Sequence, residues 1–273
     1  MRIGVIIPSR LAPRPGGLKL PEFGPELWLD GALASVVNQK GYNASTWEIF
    51  VGVDPGVVVP LHIYDHATII RGETRGQASA VNAAAKVALL EDCDVLAFLA
   101  DDDRWHRRKT EIMLKYFDQV PFMSCSQRLV DSDKPHSEES TALAITDFPN
   151  FSGWMMTAAL WSRLGGFRGF NTAYRWMADI EWLGRLNQLK TRRVHLKERG
   201  LRSQGNLFPA GVHSSLVLST STIVETDIPE CLVSKTLNPQ SNRSLVKQGG
   251  APAVEATDEV VKLLQDTFGH LPW

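Results

Sequence analysis

Short apolar runs alternate with longer stretches of helical period over the first hundred positions. Residues 3–8, IGVIIP, are β-branched and continuous, the pattern of a strand buried on both faces. Residues 26–40, ELWLDGALASVVNQK, set Leu29, Leu33, Val36 and Val37 on one helical face. WEIFVGVD (47–54) and ATIIRG (67–72) read as the next two strands. GQASAVNAAAKVALLED (76–92) puts Ala78, Val81, Ala85 and Ala88 at helical spacing, and DVLAFLA (94–100) is a fourth strand. The order β-α-β-β-α-β predicts an α/β sheet with right-handed crossovers. Ligands of such sheets bind beyond the carboxyl ends of the strands. Ser9, Arg10, Asp54 and Asp101 to Asp103 all fall at such ends.

Two stretches break this rhythm. Residues 11–26 are dense in Pro and Gly, and residues 131–150 are polar; both read as loops, and long loops in compact domains are often functional. Beyond position 216 the pattern is weak until TDEVVKLLQDTF (257–268). There Thr257 is placed to cap a helix whose apolar face is Val260, Val261, Leu264 and Phe268.

Composition narrows the class. The 273 residues have room for one large or two small domains at ~150 residues each. A formal net charge of -1 gives no reason to expect nucleic acid as a partner. Cys93, Cys125 and Cys231 lie far apart without a C-x-x-C, which argues against a zinc ribbon or disulfide framework and for a reducing, cytoplasmic setting. No apolar run approaches ~18 residues, so no membrane span is expected. The apolar run of the first residues is too short for a signal peptide and is closed by Pro8.

The chemistry concentrates at Asp101, Asp102 and Asp103. They form either a solvated turn or a cation site. Adjacent carboxylates repel unless neutralised, and a divalent metal with oxygen ligands neutralises them. An EF-hand loop is excluded, because His106 stands at the sixth position and Ile112 at the twelfth. No phosphate loop with its Lys is present, and no G-x-G-x-x-G follows the first strand. The basic run KTRRVHLKERGLR (190–202) lacks interleaved aromatics. It reads as a solvated connection, or as a site for an anionic acceptor or a membrane surface.

In their order, these pieces resemble a family 2 glycosyltransferase with the GT-A fold. VIIPSR resembles the opening strand, LASVVNQ the helix L-x-S-h-h-x-Q (h hydrophobic), and EIFVGVD the strand ending in an acidic pair, of which Asp54 survives. RGQASAVNAAAKVA resembles the G-x-x-x-A-x-N-x-A helix through Gly76, Ala80, Asn82 and Ala84. VLAFLADDDRW resembles the strand bearing the D-x-D motif, with Ala100 at the usual first Asp. GGFRGFNTAYRWMADIEWLGRL resembles the GGF element and the E-D-x-(D/E)-h-x-x-R helix, with Ala178 for the usual Glu.

The resemblance implies one mostly parallel Rossmann-like sheet flanked by helices, with residues 1–105 as the nucleotide-sugar half, 106–215 as the acceptor and catalytic half, and 216–273 as a C-terminal extension. It implies an inverting, metal-assisted transfer from a nucleotide-diphosphate sugar, with a UDP-sugar favoured and a GDP-sugar as the alternative, to a hydroxyl of a glycan, lipid-linked or small-molecule acceptor. Pro8, Ser9, Arg10, Asp54, Arg75, Asn82 and Asp101 would surround the nucleotide, Asp54 at the base and Asp101 at the ribose. Asp102 would hold Mn²⁺ or Mg²⁺, with Asp103 as second candidate and His213 as a further ligand. Asp179 would be the general base, and Gly153, Trp154, Trp176 and Glu181 would line the sugar or acceptor. Two other readings stay open: an inactive nucleotide-sugar or glycan-binding relative, suggested by Ala100 and Ala178, and a sugar-phosphate nucleotidyltransferase.

Overall fold

The computed structural model describes residues 1–15, 17, 19–20, 24–131, 144–146, 149–168, 178–198, 223–228, 233–237, 262–263 and 266–267. Along the chain lie β1 (Ile3–Ser9), β2 (Lys19–Leu20), β3 (Gly24–Pro25), α1 (Trp28–Val37), β4 (Trp47–Val53), α2 (Leu61–Tyr64), β5 (Thr68–Arg71) and α3 (Gln77–Leu90). Then come β6 (Val95–Phe98), β7 (Arg104–Trp105), α4 (Lys109–Phe117), β8 (Phe122–Cys125), β9 (Gln127–Asp131) and β10 (Ala144–Thr146). A 3-10 turn (Phe151–Gly153), β11 (Met155–Thr157), α5 (Ala158–Leu164), α6 (Ala178–Gln188), β12 (Arg193–Glu198), β13 (Ile223–Ile228) and β14 (Val233–Leu237) follow.

Eight strands form the main sheet in the order β13-β12-β8-β11-β6-β1-β4-β5. All run parallel except β11, which is antiparallel to both neighbours. The expected mostly parallel α/β sheet is thus present. β1 is central, and its two faces explain its unbroken apolar run. Ile3, Val5 and Ile7 pack with Leu29, Leu33 and Val36 of α1 on one side. Ile6 packs on the other, with Phe50, Phe98 and the Val81, Ala84, Ala85 and Ala88 face of α3. Asp30 caps the start of α1 by accepting the Leu27 N–H at 2.7 Å.

A second sheet has the order β10-β9-β14-β7. Within the expected C-terminal extension, β13 closes one edge of the main sheet and β14 sits between β9 and β7 in the second. The segment 131–150 is not all loop, since β10 pairs with β9, and β2 and β3 likewise pair within 11–26. Residues 262–263 and 266–267 are helical, as the pattern there predicts; the other residues of 257–268 lie outside the described residues. Among the described residues no helix is long and apolar enough to cross a membrane.

Candidate active site

β6, β1 and β4 lie side by side and parallel, so their carboxyl ends share one edge of the sheet. Ser9 ends β1, Asp54 follows β4 and Asp101 lies just beyond β6. The Ser9 hydroxyl donates to Asp101 Oδ2 at 2.7 Å, and the Arg10 N–H approaches the same oxygen at 3.3 Å. Leu11 N–H returns to Ser9 Oγ at 3.0 Å. Pro8 is buried inside β1, in register with Gly52, and Arg10 is exposed. Asp54 accepts the Gly76 N–H through Oδ1 at 2.8 Å, which draws its carboxylate to the start of α3, next to the exposed Arg75.

Asp101 and Asp102 are half-buried. Burial, and then the charge of Asp102, push the Asp101 carboxyl up to about 7, against the pull of the Ser9 hydroxyl and the Arg10 N–H. Two such neighbours make a site short of positive charge. Asp103 differs. It is 1% exposed, and its Oδ2 accepts the Ser152 hydroxyl at 2.5 Å. Its carbonyl accepts Arg104 Nη1 at 2.7 Å. Asp103, the second candidate for the metal, is thus anchored inside the loop by Ser152.

Ser152 also accepts the Ala100 N–H on its hydroxyl, at 3.0 Å, and the Trp105 indole N–H on its carbonyl, at 2.9 Å. Beneath Trp105 lies Lys109, fully buried, its Nζ 4.0 Å from the ring centroid. Burial pushes Lys109 down to about 8 and Arg104 down to about 10. Sequence reasoning missed Ser152, Arg104 and Lys109. Their only signal was proximity to the acidic run or to SGW, which says nothing of side-chain direction.

A second group of expected site residues fastens one turn. Both ends of the Asn82 amide bind the Phe167 backbone, Nδ2 donating to its carbonyl at 2.7 Å and Oδ1 accepting its N–H at 2.8 Å. Glu181, 1% exposed, accepts Arg185 Nε at 2.7 Å and Nη2 at 2.8 Å. Arg185 also donates to the carbonyls of Leu164 and, at 2.5 Å, Gly166. Asn82 and Glu181 thus clamp the GGF turn.

Trp154 is fully buried among Phe98, Phe122, Phe151, Phe167 and Trp182, so it offers no platform to a sugar. Gly153 is buried as well; a Cβ there would meet Cys125 Sγ at 3.0 Å, so it is a packing glycine. Asp179 stands in the first turn of α6, half-buried, with Oδ1 accepting the Ile180 N–H at 3.0 Å. Its neighbour Ala178 belongs to the apolar cluster on which Ala100 packs, so one cluster backs both the acidic loop and the start of α6. Trp176 and His213 lie outside the described residues. Among the described residues no three His, Cys, Asp or Glu side chains converge to hold a metal.

The sequence model of the family described as glycosyl transferase family 2 matches residues 21–183. No protein of curated function matches. Among solved structures, S. aureus TarS 1–349 in complex with UDP-GlcNAc aligns at a TM-score of 0.56 and 12% identity, covering 97% of this chain and 67% of that one. The same fragment with UDP gives 0.54 and 12%, covering 97% and 66%. A mannosyltransferase, PcManGT from Pyrobaculum calidifontis, in complex with GDP-Man and Mn²⁺, gives 0.54 and 13%, covering 95% and 70%. The chain thus spans about two thirds of the TarS 1–349 fragment (66%) and 39% of TarS as solved at greater length. At these identities the likeness is one of fold.

Proposed function

The chain belongs to glycosyl transferase family 2 and has the GT-A fold, and on that premise we propose that it moves a sugar from a nucleotide-diphosphate donor to an acceptor hydroxyl with inversion. The observation that supports this most is the meeting of Ser9, Asp54, Asp101 and Asp102 at the carboxyl ends of three adjacent parallel strands, tied by the Ser9–Asp101 bond. A UDP-sugar is the favoured donor and a GDP-sugar the second choice, in keeping with the ligands of TarS and PcManGT.

Asp54 keeps Oδ2 for a base N–H, since Oδ1 is spent on Gly76. Arg75 and the amino end of α3 face the diphosphate. Asp101 accepts from the ribose hydroxyls. Asp102, with Asp101 beside it, offers hard carboxylate oxygen, which suits Mn²⁺ or Mg²⁺ when diphosphate oxygens complete the shell. Such a cation, when bound, offsets the charge gathering on the departing nucleotide. Asp179 takes the proton from the acceptor hydroxyl as that oxygen bonds to the anomeric carbon and the bond to the diphosphate breaks. One displacement inverts the centre, so no second carboxylate is needed to hold a covalent intermediate.

Asp179→Asn is expected to slow nucleotide release from the donor by about 10²- to 10⁴-fold while donor binding persists. Release at the parental rate in that variant would remove Asp179 as base. Ala100 and Ala178 favour a second reading, a relative that binds nucleotide sugar without turning it over. Donor-dependent stabilisation with no release under any acceptor and Mn²⁺ would establish it.

A further inference from the structure

Three arginines are buried among the described residues: Arg104, Arg185 and Arg193, at 8%, 7% and 8% exposure. Arg185 has the Glu181 carboxylate and two carbonyls. Arg104 gives Nη1 to the carbonyls of Asp103 and Asp101 and feels the charges of Asp101 to Asp103, although its Nη2 has no acceptor. The Arg193 side chain has no hydrogen bond and no ion pair among the described residues, and its Nε is a buried donor without an acceptor. Burial alone pushes it down to about 10, with no acid pulling it back. A desolvated cation without a counter-charge costs several kcal/mol, and buried charges are ordinarily paired. The chemistry such a side chain calls for is an anion.

Its position is also informative. Arg193 opens β12 in register with Phe122 of β8, whose ring packs on Trp154 and Trp182. β12 and β8 run parallel to β1 and β6 through the antiparallel β11. Arg193 thus lies at the amino ends of the strands, at the opposite pole from Asp101 and Asp102. The donor's diphosphate is accounted for elsewhere. Lys190 and Arg192 on the same turn are exposed, and residues 187–194, NQLKTRRV, contain no acid.

We propose that this turn is a second oxyanion site, in which Arg193 takes a phosphoryl group and Lys190 and Arg192 draw it in. A planar guanidinium matches phosphate oxygens two at a time, and desolvation strengthens that bond. The site is independent of the transfer reaction and would stand if that reading failed.

The test uses the ¹⁵N-labelled full chain, free of metal and nucleotide, titrated with inorganic phosphate against sodium chloride at matched ionic strength. The Arg193 Nε–Hε resonance is expected to shift saturably and the thermal midpoint to rise. Arg193→Met abolishes both responses, and Asp102→Asn leaves both. Should Arg193→Met fail to fold, Lys190→Gln with Arg192→Gln is expected to weaken phosphate binding by about tenfold. A phosphate on a soluble ligand and one on a lipid present the same oxygens. Co-sedimentation with phosphatidylcholine vesicles only when they contain phosphatidic acid, lost in Arg193→Met, assigns the lipid source; no sedimentation beside a phosphate shift assigns the soluble one. No saturable shift at Arg193, or an equal thermal response in Arg193→Met, overturns the proposal.

Discussion

One hydroxyl, that of Ser152, holds the acidic loop at two points, the Ala100 N–H and the Asp103 carboxylate. Ser152→Ala removes both hydrogen bonds, one of them to a buried carboxylate, at a cost of about 1–3 kcal/mol. Urea denaturation should show that loss, and Mn²⁺ titration followed by electron paramagnetic resonance should show weaker binding. Lost stability with unchanged Mn²⁺ affinity would separate the hydroxyl from the metal site. Lys109 allows a pH test. Its folded pKa, about 8, lies below its ordinary 10.5. Below pH 8 the burial penalty is fully present. Between the two values the unfolded chain holds a proton that the native state has released, so stability rises with pH, by on the order of 3 kcal/mol at most. Cys125, pushed up to about 11 by burial, acts oppositely from its ordinary 9 upward. The comparison with Lys109→Met cancels most of that contribution: the parent should gain on the variant from pH 8 to 10.5, and parallel curves would refute the assignment. At this scale the sequence marked strand-end residues well, because an apolar run fixes where a strand stops. Asn82, Glu181, Gly153 and Trp154, expected beside a ligand, also make contacts inside the fold that their motifs did not announce. A motif shows which residues travel together, not whether a side chain points at a ligand or at its own backbone.

Those residues make sense as joints between elements. The turn after α5 is gripped from α3 by Asn82 and from α6 by Arg185. Gly166 in that turn has φ 67, and a Cβ on it would meet Asn82 Oδ1 at 2.7 Å. Gly166→Ala should therefore cost about 1–3 kcal/mol, read as a lower urea midpoint with unchanged slope. Adding Asn82→Ala should cost less than the sum of the two single changes, since the clash is then gone; strict additivity would place the strain elsewhere. Elements of the first hundred residues were legible because each shows a clear period. β7, β9, β13 and β14 were not. They are two to six residues long with polar positions inside, and β14 exists through partners such as Trp105 of β7, far off in sequence.

For the molecule as a whole, the site draws on three strands whose common edge exists only when the chain is folded. A nucleotide sugar with Mn²⁺ should therefore raise the thermal midpoint by mass action, by about 2.7 kcal/mol of stability at a hundredfold excess over Kd. Either component alone should do less. A chain unmoved by any nucleotide sugar would not bind donors. The architecture was legible from element order and the family pattern. The place of β13 was not, because nothing local says that a strand of mixed polarity will close the edge of a sheet begun at Ile3.

The three-residue β11 joins two parallel blocks, β5-β4-β1-β6 and β8-β12-β13. On a ribosome the first block can form early, but β8, although made before β11, has no edge to join until Thr157 emerges. In that interval β6 (VLAF) is a bare apolar edge, the kind that pairs with the wrong chain. A holdase guarding the growing chain has its target there, and synthesis speed between Phe98 and Thr157 sets how long the edge stays open.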